Sequence, residues 1–319
     1  MTPFLTIDLP AMLAATLACL SCALVGNFLV LRRQSLLGDA ISHAVLPGIV
    51  VGFLVAGTRE TFPMMTGALA AAVVAGVLIE LVRRLGRVEA GAAMGVVFTG
   101  LFALGVVLIE QAAAHSVDLD ADCVLYGQLE DVIWLAPTGW ASLLDPLVWA
   151  ALPREVVQLA IVFLLLGGIV LVFFKELTLA SFDPGLADTL GLPSALVQHG
   201  IVAMTAVAAI AAFEAVGSIL VIAMLICPAA TARLLTDRLP VQIGLSLLIG
   251  AAAGAGGYVL GAFGPLWLGF QASVNAAGMI ATLAGLFLTL AILVAPRYGA
   301  LTRAGRRRAA AARSAGAEA

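Results

Sequence analysis

Asp39 and His43 stand four residues apart in the apolar stretch LLGDAISHAVLPG (36–48), just past the basic pair Arg32-Arg33. Residues four apart share one face of a helix. An ionisable side chain inside a membrane span costs ~2.5–3.5 kcal/mol on insertion scales and marks a functional position by default. Pro47 follows His43 by another turn and lacks an N–H, so the His43 carbonyl loses its helical partner. One face therefore offers a carboxylate, an imidazole and a freed carbonyl. Carboxylate suits manganese, imidazole suits iron and zinc, and both are borderline ligands for all three ions. A single helix supplies few ligands. Two copies across a dimer axis would supply two Asp and two His, and two carboxylates would neutralise a divalent ion where the dielectric is low. This predicts a site between two subunits. The spacing also permits a simpler arrangement, in which Asp39 and His43 pair with each other or cap the helix at the water interface.

The surrounding sequence must hold this face in a bilayer. Of 319 residues, 62% are hydrophobic and 11% charged, against about 25% charged in soluble domains. A span needs ~20 apolar residues. Apolar runs fall near 10–31, 38–56, 64–82, 91–110, 156–174, 197–213, 216–235, 241–262 and 270–295. The pair 197–213 and 216–235 is separated only by Phe213-Glu214-Ala215, which suits a tight hairpin or one broken helix. With the amino terminus outside, the inner group holds Arg32, Arg33, Arg83, Arg84, Arg87, Lys175, Arg233, Arg238 and the arginines from Arg297 onward, leaving only Arg59 and Arg154 outside. The positive-inside rule selects that orientation. The first run has no basic residue before it, so it reads as a retained span rather than a cleaved signal. Segment 132–153 carries Pro137, Asp145, Pro146 and Pro153 and is expected as an interfacial or re-entrant piece on the outer surface.

Three further segments bear on function. The outer stretch 111–131 is acidic, with Asp118, Asp120, Asp122, Glu130 and Asp131. As a calcium loop it fails, because Cys123 and Leu129 occupy the positions that need Gly and Glu. A solvated loop or an ion-attracting docking surface remains. On the inner side, SFDPGLADTLGLP reads as a short helix with Asp183 as N-cap, Pro184 in its first turn, and Gly191 and Pro193 ending it. It suits either a connector or a grip for a partner protein. Late in the chain, Glu214 falls at an outer end and Pro228 kinks an inner end. Gly48/Gly52, Gly250/Gly254 and Gly257/Gly261 have the spacing of close helix packing. Cys19 and Cys22 sit in the first apolar run and read as small packing residues, and His115 and His199 as loop or boundary residues. Lys175 is the only lysine and no P-loop pattern surrounds it, so if ATP drives transport a separate subunit supplies it.

The segments LLGDAISHAVLPG, DLDADCVLYG, SFDPGLADTLGLP and VGSILVIAMLICPAATA, in that order, resemble ABC-type permeases of bacterial zinc, manganese and iron uptake systems. The acidic outer segment and long tail look closest to the manganese/iron branch. The resemblance implies an all-α polytopic membrane protein of about eight to nine transmembrane helices, with the type II ABC importer fold of vitamin B12 and siderophore permeases. It implies one permease domain over 1–296, a coupling helix at 182–193 that uses Asp183, Pro184, Ala187 and Gly191, and a basic tail over 297–319. Asp39 and His43 would belong to the metal path, with no resident cofactor. The implied partners are an ATP-binding subunit, a second identical or paralogous permease, and a periplasmic or lipoprotein metal-binding protein in a bacterial inner membrane, with no nucleic acid. Manganese leads, with zinc and iron as alternatives. An ion-coupled secondary transporter, a permease for a metal chelate and a membrane anchor are the rival readings.

Overall fold

Apolar runs this long fold as helices because lipid offers no partner for backbone N–H and C=O groups. The computed structural model describes residues 4–57, 61–113, 129–137, 139–267, 269, 274–295, 299 and 302, and is helical with no strand among them. A π-type turn, Phe4–Asp8, leads into α1 (Leu9–Leu31). α1 is the axial rod of the bundle. Its small residues Ala14, Ala15, Ala18, Cys19, Cys22 and Ala23 are all buried, which lets neighbours close in on several sides. Cys19 and Cys22 are free thiols in this packing, as expected from the sequence.

A three-residue turn with Arg33 in the left-handed region (φ 56°) joins α1 to α2 (Ser35–Ala56). α3 (Thr61–Gly86) runs antiparallel to α2, with Gly48 meeting Gly67 so closely that a Cβ on either would strike the other's carbonyl. α4 (Ala90–Ala113) runs parallel to α2: Leu36 lies by Gly91, and Leu46 with Pro47 lies by Gly105. The three helices thus form a sheaf around the Asp39–His43 stretch, and Gly48 does the packing its spacing suggested.

Segment 129–150 does not cross the bundle. It forms a 3-10 turn at Trp140–Leu144 and the short α5 (Pro146–Ala150). The Trp134 N–H donates to the Thr6 carbonyl at 2.8 Å, and Phe4 stacks on Trp140 with ring centroids 6.1 Å apart. Both contacts pin the segment to the start of α1. α6 (Arg154–Val172) then descends to α7 (Phe174–Phe182) and α8 (Pro184–Thr189).

α9 (Ser194–Leu235) is continuous except at Gly217, whose φ 76° and ψ 167° are non-helical. As a straight rod, Gln198 and Leu225 would lie about 40 Å apart. Instead Gln198 bonds Gln34, while Leu225 packs on Gly26 and Gly38, all at the α1–α2 junction. The rod therefore folds back at Gly217 into two arms, and both of its ends lie on the inner side with Arg233 and Arg238. α10 (Leu239–Trp267) returns antiparallel to α1, with Gly250 on Cys19 and Gly254 on Thr16, and α11 (Ala276–Val294) packs back along α10 through Gly257 and Gly261.

A buried polar knot ties α1 to α10. Asn27 Nδ2 donates to Ser246 Oγ at 2.6 Å and Gln242 Nε2 donates to Asn27 Oδ1 at 3.0 Å, with all three side chains fully buried. α1 with its leading turn, α4, α6, the first arm of α9, α10 and α11 are long and apolar enough to cross a membrane, and Leu46–Ala56 and Leu220–Leu235 add shorter apolar helices. With α2, α3 and the second arm of α9 counted as crossings, the described residues follow the alternation that the basic residues demand.

Candidate functional site

His43 lies midway along α2, one turn beyond Asp39, because the LLGDAISHAVLPG stretch stays helical through Pro47. The Asp39 backbone is in the helix, and its side chain lies outside the described residues. The partly buried imidazole is held between two phenyl rings of α4. Phe98 is tilted at 31° with centroids 5.4 Å away, and Phe102 is edge-on at 76° and 5.1 Å. Phe98 and Phe102 are one turn apart and so share a helix face. Aromatic pairs favour such edge and tilted arrangements. The rings thereby restrict the imidazole rotamer and keep water from one side of it. Across α2, Gly38 leaves room for Leu225 of the second α9 arm, whose Cδ1 would lie 2.7 Å from a Cβ there. The site helix is thus clamped by α4, α3 and the folded-back arm of α9.

No three His, Cys, Asp or Glu side chains gather to hold an ion among the described residues. Within the chain, this stretch presents the His43 imidazole and, one turn before it on α2, the helix position of Asp39. The second segment folds as its residues dictate. Asp183 Oδ1 accepts from the Leu186 N–H at 2.9 Å, and Pro184 opens α8. Gly191 takes a left-handed φ of 83° and ends it. Ala187 faces inward and is fully buried, whereas Phe182, Leu186 and Leu190 are exposed. Leu186 and Leu190, with Phe182 at the end of α7, form the apolar part of the exposed surface here, beside the exposed Asp183, Pro184 and Asp188. Asp183, Pro184 and Gly191 set the ends of the helix and are themselves exposed, whereas Ala187 packs beneath it.

Other sequence candidates separate from this site. His199 is exposed on the first arm of α9, with a ring nitrogen 2.6 Å from its own helix's Ala195 carbonyl. Asp131 is exposed at the outer face. The acidic stretch 118–122 and His115 lie outside the described residues, as do the Glu214 side chain and nearly all of the tail 297–319.

The sequence pattern of the ABC 3 transport family matches residues 5–134 and 148–295. The chain belongs to the ABC 3 transport family. This ABC 3 chain is 39% identical over 283 residues to a manganese transport system membrane protein, MntD, of Bacillus subtilis, covering 89% of this chain and 90% of the relative. It is 38% identical to a zinc transport system membrane protein, TroD, of Treponema pallidum, covering 91% and 75%. Among solved structures, PsaBC from Streptococcus pneumoniae in complex with Fab matches with a TM-score of 0.71 and 28% identity, covering 90% of this chain and 91% of that one. The fold is that of an all-α polytopic ABC permease.

In this ABC 3 chain, sequence reasoning did not single out Phe98, Phe102, Gln34 or Gln198. The phenylalanines are apolar residues in an apolar helix, and the glutamines flank helix ends. Only proximity in three dimensions distinguishes them.

Proposed function

We propose that this chain is the membrane-spanning permease subunit of a bacterial importer that carries a divalent transition metal ion, Mn²⁺ foremost, across the inner membrane. The observation that carries this reading is coverage: two relatives named for manganese and zinc transport align along nearly all of this chain at 38–39% identity. Hydrolysis of ATP belongs to a separate subunit docked under Phe182, Leu186 and Leu190. An external metal-binding protein delivers the ion at the outer face. Two permease subunits, identical or paralogous, bring two α2 helices toward a common axis, and the ion is cargo with no resident cofactor.

In this mechanism the ion meets His43, held in one rotamer by Phe98 and Phe102, together with the Asp39 carboxylate. Few ligands per subunit suit transport, because binding must be strong enough to admit the ion and weak enough to release it. The imidazole selects first-row metals over Mg²⁺ and Ca²⁺, which prefer oxygen alone.

The test is ATP-driven ⁵⁴Mn²⁺ uptake in vesicles holding the chain with its ATP-hydrolysing and permease partners. The Asp39→Ala/His43→Ala double variant is expected to lose more than about tenfold of uptake, the size that loss of supporting groups alone reaches at metal sites. Uptake at the parental rate in that variant, with normal expression, overturns the assignment of the path.

A further inference from the structure

Two side-chain links run in series from α8 to the helix that carries His43. At the end of α8, the Asp188 carboxylate accepts from the Ser194 N–H at 2.8 Å and from the Ser194 hydroxyl at 2.9 Å. This fixes α8 to the first residue of α9. One turn along α9, Gln198 Nε2 donates to Gln34 Oε1 at 2.8 Å, a bond spanning 164 positions of sequence. Gln34 is the N-cap residue of α2, about one turn before Asp39.

Both ends of that bond are stiffly held. The Gln34 N–H donates to the Leu29 carbonyl at 2.9 Å, and the Gln34 carbonyl accepts from the Leu37 N–H at 2.9 Å. The Gln34 backbone therefore belongs at once to the end of α1 and the first turn of α2. Gln198 is built into the first arm of α9, and its Oε1 is buried without a hydrogen-bond partner among the described residues. The bond is partly buried, so breaking it would leave its two amide groups only partly able to turn to water, which costs more than losing an exposed hydrogen bond. Helices transmit displacement along their axes with little give, so a push on α8 arrives at Gln198 and passes sideways into the start of α2.

We propose that the Gln34–Gln198 amide pair is the mechanical joint through which movement of α8 repositions Asp39 and His43. Both glutamines are positioning residues: they touch no cargo and act through α2. The proposal rests on the reading of α8 as the contact for an ATP-hydrolysing subunit.

The experiment uses the complete complex in proteoliposomes and records ⁵⁴Mn²⁺ transported per ATP hydrolysed. Gln34→Leu and Gln198→Leu are each expected to lower that ratio at least fivefold while ATP turnover stays within twofold of the parent. The paired Gln34→Lys/Gln198→Glu variant, which restores a donor–acceptor contact, is expected to recover most of the ratio. A role in packing alone would lower yield and both activities together, and the charged pair would not rescue it. Parental ratios in both leucine variants overturn the joint while leaving the transport reading in place. If the leucine variants do not assemble, the paired variant decides: no ATP-driven uptake from an assembled complex overturns the proposal. Parent vesicles that show no ATP-driven uptake overturn the transport reading and this proposal with it.

Discussion

His43 illustrates what a single residue can and cannot do here. Its type and its spacing from Asp39 suggest metal chemistry, yet its orientation comes from Phe98 and Phe102 on another helix. Asp188 is the second informative residue. The Ser194 backbone N–H first, and the Ser194 hydroxyl second, hold its carboxyl below the ordinary aspartate range. A depressed carboxylate stabilises the fold fully above its unfolded value, about 3.9, and that contribution fades as pH falls through the lower folded value. The α8–α9 joint is therefore expected to be equally firm at pH 6 and pH 8. Asp188→Ala should speed hydrogen exchange of the 184–198 segment at both. An unchanged exchange rate in that variant would show that the carboxylate does not hold the joint.

At the scale of elements, the folded-back α9 decides the architecture. Gly217 occupies a backbone region, φ 76° with ψ 167°, that is essentially reserved for glycine. A side chain there is strained by about 1–3 kcal/mol. Gly217→Ala is accordingly expected to lower the stability of the purified protein by that order, read as an earlier thermal unfolding in detergent. A parental melting temperature would mean that the bend relaxes without penalty. The site depends on this bend, because only the returning arm places Leu225 against Gly38. The same logic applies to α2 and α3, where Gly48 and Gly67 allow backbone contact and bring α3 to the side of the helix that carries Asp39 and His43.

For the whole molecule, the basic residues and the bundle give one consistent topology. Arg32, Arg33, Lys175, Arg233 and Arg238 lie at the end that also holds α7 and α8, and the 129–150 segment lies at the other. Leu144→Cys is expected to react with a membrane-impermeant maleimide added outside intact cells. Leu190→Cys should react only after the inner face is opened, with the parent chain as the background control. The reverse pattern would invert the topology and remove the assigned roles of both faces. Phe182, Leu186 and Leu190 are exposed apolar residues at the end that also holds Arg32, Arg33 and Arg233.

The sequence alone determined that the chain is a many-span membrane protein, which orientation its basic residues favour, and which helix carries Asp39 and His43 one turn apart. Those properties follow from composition, charge placement and helical period, all of which are local. It also marked Asp183, Pro184 and Gly191 as the boundaries of α8, since capping is local chemistry. It left open whether 197–235 was a hairpin or a broken rod. Gly217 was one of 33 glycines, and its backbone angles are set by what the two arms pack against. Tertiary structure alone decided that Ala187 faces inward, that phenyl rings from α4 hold His43, and that Gln198 reaches Gln34. Each is a contact between distant parts of the chain, and residue type carries no record of which distant neighbour the packing will supply.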